Sequence, residues 1–264
     1  MTTEIKPLGT YFTNTPNGYI INPTSFQLIP DQWLPLINEV KATCIDQFGS
    51  DLHSLYLRGS VPRGLASDGF ADLDLLVLLS TKNLRWKPAK WLPDYQKSWQ
   101  KKYPFVKEIE VMCSSYSKNF EQANPPLAMI IKTQSLLLEG TSIDDQIEPF
   151  KPDKYMMLNY RWLADDLKLF LSIDNPSMES IQGIAKVVIR SGFELVMERV
   201  GKYTVDLYLC CEAFGQFYPE RGEQMMKVLF YYLNPSTAEE LFQTLISELG
   251  NWLIAEIKRL ELLT

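Results

Sequence analysis

The sequence predicts an α+β protein, with a β-sheet in the first half of the chain and helices alone in the second. Leu55–Leu57 and Asp72–Leu79 are short apolar runs with the length and composition of strands. A linker rich in acidic residues and proline follows the strands, and beyond it apolar residues recur at helical spacing, most clearly in Met178–Val200. We therefore expect a sheet domain over residues 1–145 and a helical domain over residues 146–264.

The first half is expected to begin with a helix that leads into the sheet. Asp31 is placed to cap this helix, which runs to Phe48 and ends at Gly49. The strands that follow are rich in Leu, Ile, Val and Tyr. They are expected at Leu55–Leu57, Asp72–Leu79, Lys107–Met112 and Leu136–Gly140.

The second half is expected to form a bundle of five helices. Thr204 is placed to cap the third of them, and Ser236 with Glu239 has the spacing of a capping box at the start of the last. The helices are expected at Tyr155–Leu171, Met178–Val200, Thr204–Phe214, Glu223–Leu233 and Ser236–Leu260.

Two carboxylates share one face at the start of the second strand. Asp72 and Asp74 are separated by one residue, and side chains alternate between faces along a strand. Because like charges side by side repel each other, the pair favours a bound cation over a solvated strand end, and Mg²⁺ is the usual oxygen-seeking choice. The amides after Gly59, with Ser60 and Arg63, are placed to hold a phosphate opposite that metal. An ordinary turn and a solvated arginine are the alternatives for this loop.

The loop and the carboxylates together resemble a known signature. Gly59-Ser60, eleven further residues and then Asp72-Leu73-Asp74 is similar to the motif of the nucleotidyltransferase superfamily of the DNA polymerase beta type. The sequence departs from this motif at Ala71, where many members have Ser. In its length and the order of its parts, the chain also resembles the aminoglycoside-type nucleotidyltransferases.

The resemblance implies a mixed-sheet nucleotidyltransferase domain followed by an α-helical bundle, with the active site in the cleft between them. A third carboxylate comes from a later strand in that family. Glu110 is the candidate here, and Glu108 on the same strand face is the alternative. Asp72, Asp74 and Glu110 would then be the catalytic residues and the ligands of a two-metal Mg²⁺ site. The implied reaction transfers a nucleoside monophosphate from an NTP, with ATP expected, to a hydroxyl of a small molecule and releases pyrophosphate.

Two stretches of the helical half are candidates for nucleotide binding. Lys186 and Arg190 are four residues apart and share a helix face, where they would either hold the triphosphate or extend along the surface to solvent. A turn between helices faces the nucleotide in aminoglycoside-type nucleotidyltransferases. The candidates in the similar turn here are Lys202, Tyr203, Thr204 and Asp206. The general base for the acceptor hydroxyl stays open among Glu110, Asp165, Asp166 and Glu194.

Composition and charge limit the partners. A net charge of -6 and a pI of about 5.0 argue against a broad basic surface for nucleic acid. The tryptophans of Thr81–Tyr103, which include Trp86, fit a helix packed on the sheet better than nucleic-acid stacking. The four cysteines lack the spacing of a zinc site, and His53 is the single histidine, which argues against nucleophilic triads.

The compartment follows from what the sequence lacks. The N-terminus has no signal pattern and no apolar run reaches the length of a membrane span. We therefore expect a cytoplasmic protein with reduced thiols that binds an NTP and a small-molecule acceptor. The sequence leaves the acceptor and the oligomeric state open.

Three other functions stay open at this point. The same chemistry can act on a protein side chain or a tRNA end, as in minimal antitoxin-like nucleotidyltransferases. The site can also belong to a catalytically silent nucleotide-binding regulator, although a pure binder has no need of three carboxylates. The last alternative is a helical interaction module with a vestigial first domain.

Overall fold

The computed structural model describes residues 6–82, 84, 87–156, 159–235 and 240–261, so Trp86, Ser236 and Glu239 lie outside it. The chain divides into two compact units. The sheet unit is Ile21–Phe150, and the helical unit combines Met1–Ile20 with Lys151–Thr264.

The N-terminal segment is assigned differently from the expected division at residue 145, which placed it with the sheet. It belongs to the helical unit because its backbone amides form hydrogen bonds with residues of that unit. The Phe12 amide donates to the Tyr203 carbonyl (2.8 Å), and the amides of Leu8 and Gly9 both donate to Oδ2 of Asp206. No local pattern in residues 1–20 signals this long-range pairing.

One mixed sheet is the core of the sheet unit. Its strands within the described residues are β1 (Leu52–Arg58), β2 (Leu73–Leu79), β3 (Lys87–Pro88), β4 (Ile109–Ser115) and β5 (Leu136–Gly140). They lie in the order β3-β4-β2-β1-β5, with β2 and β4 parallel and the other neighbours antiparallel. The predicted α+β class and mixed sheet are confirmed.

Helices cover both faces of this sheet. They are α1 (Leu34–Phe48), α2 (Leu92–Lys102), α3 (Phe120–Ala123) and α4 (Pro125–Gln134). Leu75 and Val77 of β2 are buried in one cluster with side chains of α1 and α2, whereas Leu76 and Leu78 are buried in another with side chains of α4. Burial on both faces accounts for the continuous apolar run of β2. Asp31 starts a short 3-10 turn ahead of α1 and does not cap it.

The described part of the helical unit contains five long helices, as the periodicity predicts. They are α5 (Tyr160–Leu171), α6 (Met178–Val200), α7 (Leu207–Phe217), α8 (Pro219–Leu233) and α9 (Glu240–Glu261). Asp206, and not Thr204, caps α7: its side chain accepts from the Leu209 amide, while the Thr204 hydroxyl donates to the Thr10 carbonyl. None of the described helices combines the length and apolar character that a membrane span requires.

Candidate active site

Three charged residues lie side by side across one end of the sheet. The backbone register pairs Arg58 of β1 with Asp74 of β2, and Asp74 with Glu110 of β4. Residues in register on neighbouring strands direct their side chains to the same face. The next residues along this face include Tyr56 and Leu76, which are buried in the cluster with α4. The charged row therefore lies just beyond the covered part of the face.

Arg58 holds the two carboxylates of this row together. Its Nη2 atom lies 3.1 Å from Oδ1 of Asp74 and 3.2 Å from Oε2 of Glu110, so one guanidinium nitrogen contacts both acids. Sequence reasoning did not single out Arg58. The available signal was a cationic residue at the end of an apolar strand, directly before Gly59-Ser60.

Asp72 is the residue directly before β2 begins. Its Oδ1 atom is 4.0 Å from Nζ of Lys107, and its side chain is 33% exposed. The side chain of Asp74 is more buried, at 18% exposed. Burial raises the pKa of Asp74, the Arg58 guanidinium opposes this shift, and the charges of Glu110 and Asp72 add to it. The charges of all three predicted acids therefore interact in the sheet unit.

The register also distinguishes the two glutamates near this site. Glu110 is the partner of Asp74 across parallel strands, whereas Glu108 precedes β4 and is exposed. Its backbone carbonyl accepts a hydrogen bond from the Leu73 amide. The geometry thus places Glu110, and not Glu108, beside Asp74.

The Gly59-Ser60 loop packs directly on Asp74. Gly59 has a φ of 85°, and a Cβ atom added there would overlap Oδ2 of Asp74. Ser60 leads into a 3-10 turn over Val61–Arg63. Nε of Arg63 donates a hydrogen bond to the Gly59 carbonyl (2.8 Å). Arg63, which the sequence predicts to contact a phosphate, therefore also stabilises the backbone of the loop.

The carboxylates of this site are suitable ligands for a hard divalent cation, but the described acids are not arranged as a complete metal site. Among the described residues, no group of three or more His, Cys, Asp or Glu side chains is arranged to hold a metal ion by itself. Asp74 and Glu110 nevertheless converge on one cation, the guanidinium of Arg58. In nucleotide sites Mg²⁺ uses one or two carboxylates together with substrate phosphates and water. The residues therefore fit a metal that arrives with a nucleotide, and not a preformed cage of three carboxylates.

The candidates of the helical unit have contacts of their own. Lys186 lies over the Tyr232 ring, 5.9 Å from its centroid, Arg190 is half-buried and Lys202 is exposed. Tyr203 packs edge-on against Phe12, and buried Thr204 bonds to the N-terminal segment as described above. The turn of Tyr203, Thr204 and Asp206 therefore anchors the N-terminal segment.

Glu194, one of the candidate bases, is a buried residue of α6 whose side chain contacts the start of α5. Its carboxylate accepts from the backbone amide and Nδ2 of Asn159 (2.9 and 2.6 Å) and from the Tyr160 amide (3.1 Å). The two bonds from backbone amides satisfy donors that the first turn of α5 leaves without partners in the helix. Glu194 therefore stabilises α5. Of the other candidates, Asp165 is exposed. The pKa of Asp166 is raised, first by the partial burial of its side chain and second by the charge of Asp165.

Comparisons with known proteins add a similarity to solved structures. No protein-family model matches the chain, and no curated protein matches it either. Among solved structures, the chain is similar to spectinomycin adenyltransferase AAD(9) from Enterococcus faecialis, which was solved with ATP and spectinomycin. The two are 16% identical, the match covers 83% of this chain and 98% of that chain, and the TM-score is 0.47.

Proposed function

We propose that this protein is a Mg²⁺-dependent nucleotidyltransferase. It transfers a nucleoside monophosphate from an NTP, with ATP preferred, to a hydroxyl of a small molecule and releases pyrophosphate. The observation that carries the proposal is the pairing of Asp74 with Glu110 on adjacent parallel strands, directly beside the Gly59-Ser60 loop. The similarity of this loop and the two aspartates to the nucleotidyltransferase motif supports the same reaction.

The acids of the site would hold the metal, and the loop would hold the phosphates. Asp72 and Asp74 are the proposed ligands of a Mg²⁺ ion that arrives with the triphosphate, and Glu110 would complete a second metal site. Bound Mg²⁺ would neutralise charge on the triphosphate oxygens. The amides of Gly59 and Ser60 would bind the β and γ phosphates, with the loop kept in place by the bond from Arg63 to the Gly59 carbonyl.

The proposed reaction is an in-line displacement at the α phosphorus. The acceptor oxygen forms a bond to the α phosphorus, the bond from that phosphorus to the bridging α–β oxygen breaks, and pyrophosphate leaves. The hydroxyl proton passes to a carboxylate of the site, for which Glu110 is our candidate because its side chain is more exposed (41%) than that of Asp74.

The test is pyrophosphate release with ATP, GTP, CTP and UTP in the presence of Mg²⁺. Each nucleotide is offered with a panel of aminoglycosides and, separately, with a cell extract. Asp74→Asn should abolish release while circular dichroism shows that the fold is kept. Glu110→Gln should reduce release at least a hundredfold, whereas the matched control Glu108→Gln should act like the unchanged protein.

The outcomes separate the candidate functions. Release that requires an aminoglycoside and is lost in Asp74→Asn establishes transfer to a small molecule. Release with extract alone redirects the search to a protein, an RNA or another metabolite as acceptor. Nucleotide binding without release favours the regulator, and full activity of Asp74→Asn contradicts the proposed mechanism.

A further inference from the structure

Arg58 occupies the position between the two carboxylates on which the proposed metal site depends. Its Nη2 atom contacts Oδ1 of Asp74 and Oε2 of Glu110, and its side chain is 23% exposed. A partly buried cation so close to two acids offsets the repulsion between them. The row therefore carries its own counter-ion.

A metal ion and this guanidinium compete for the same oxygens. Mg²⁺ coordinates carboxylate oxygens directly, at about 2 Å. The oxygens that converge from Asp74 and Glu110 are the ones that Arg58 contacts. A metal ion that bridges these same two oxygens would therefore occupy the position of Nη2.

We propose that Arg58 is the resident counter-ion of this site and that a divalent metal ion binds by displacing its guanidinium from Asp74 and Glu110. This inference rests on the proposed function, because it assumes that these acids are metal ligands. Displacement costs the two ion pairs of Arg58, so the metal ion alone binds weakly.

A bound triphosphate would recover part of that cost. Arg58 directly precedes Gly59 in the chain, so its side chain starts beside the loop proposed to hold the phosphates. The planar donors of a guanidinium match phosphate oxygens well. Metal and nucleotide should consequently strengthen each other's binding, and removal of Arg58 should weaken this coupling while it tightens binding of the metal alone.

Lys107 provides a matched control within the same site. It is also a cation near one of the acids, but its Nζ is 4.0 Å from Asp72 and its side chain is 54% exposed. Replacing either residue by Met removes one positive charge. Only the replacement of Arg58 vacates the position between Asp74 and Glu110. A general effect of charge would change metal affinity similarly in both variants.

The experiment measures Mn²⁺ binding, with Mn²⁺ as the paramagnetic substitute for Mg²⁺, from the electron paramagnetic resonance signal of the free ion. The proteins are the unchanged chain, Arg58→Met, Lys107→Met and the double variant Arg58→Met/Asp74→Asn. We expect Arg58→Met to lower the Kd for Mn²⁺ at least tenfold and Lys107→Met to change it less than threefold. The double variant should lose the tighter Mn²⁺ binding expected of Arg58→Met. A Kd for Arg58→Met equal to or above that of the unchanged protein overturns the inference, as does an equal gain in Lys107→Met.

A second measurement needs no variant, in case Arg58→Met does not fold. Mg²⁺ and a non-hydrolysable ATP analogue are added to ¹⁵N-labelled unchanged protein, and the Nε–H resonance of Arg58 is followed. A changed chemical shift that requires Mg²⁺ as well as the analogue supports displacement. An unchanged resonance at saturation with both overturns it.

Failure of this inference is distinguishable from failure of the proposed function. If the unchanged protein releases pyrophosphate and Arg58→Met binds Mn²⁺ no more tightly, only the counter-ion role is lost. If Arg58→Met binds Mn²⁺ tightly and no nucleotide yields pyrophosphate, the metal exchange stands and the proposed reaction does not.

Discussion

Gly59 and Asp74 are packed so closely that a Cβ atom at residue 59 would overlap Oδ2 of the carboxylate. The φ of Gly59, 85°, is also in the left-handed region that glycine adopts without strain. The phosphate loop of the proposed site and its central acid are therefore coupled through a position that has no room for a side chain.

Gly59→Ala should displace Asp74 and reduce pyrophosphate release at least a hundredfold. Strain and overlap together should lower the free energy of unfolding by about 1–3 kcal/mol. Gly69→Ala is the matched control, because Gly69 has a φ of 74° in the same loop with nothing within 4 Å of an added Cβ. It should share the backbone strain and keep its activity. Turnover and urea denaturation measure the two effects, and a fully active Gly59→Ala protein would contradict the coupling.

Glu194→Gln should destabilise the helical unit, because an amide group replaces one of the oxygens that accept from Asn159 and Tyr160. The expected loss in free energy of unfolding is about 1–3 kcal/mol. Glu198→Gln, at an exposed position of the same helix, should change it by less than about 0.5 kcal/mol. Equal urea midpoints for both variants would show that Glu194 does not stabilise α5.

Gly140→Ala should be among the most destabilising glycine substitutions. Gly140 has a φ of 85°, and an added Cβ would overlap the His53 carbonyl oxygen where β5 pairs with β1. We expect a loss of about 3 kcal/mol or more, measured by thermal and urea unfolding. Gly201→Ala has a similar backbone (φ of 68°) with open space around the added Cβ, so it should cost only about 1–2 kcal/mol. A smaller loss at Gly140 than at Gly201 would be inconsistent with this contact.

The cysteines should be unreactive in the native protein. Burial raises the pKa of Cys44 and of Cys113 to about 12, and burial also raises the pKa of Cys210 and of Cys211. At pH 8 these thiols are protonated, whereas the thiolate is the reactive form. A thiol-specific disulfide reagent should modify none of them in the native state and all 4 in urea.

A positive control for that experiment is Glu198→Cys, which introduces a thiol at an exposed position. It should add one rapidly reacting group to the native protein. Rapid modification of the unchanged native protein would contradict the burial of at least one cysteine.

The sequence by itself determined the fold class, the helical half and the acidic pair at the start of β2. These features depend on the alternation of side chains along a strand and on the repeat of a helix, which are properties of the local backbone. Asp72 and Asp74 were visible because aspartate is unusual in or directly beside an apolar run with the composition of a strand.

Only the tertiary structure decided which residues join those acids. Glu108 and Glu110 share one strand face, and strand register alone placed Glu110 opposite Asp74. Pairing of β1 with β2 brought Arg58 between the acids, and the anchor at Asp206 joined residues 1–20 to the helices. Such contacts link residues far apart in sequence, so they depend on which segments pair and in which register, and a local pattern does not encode that choice.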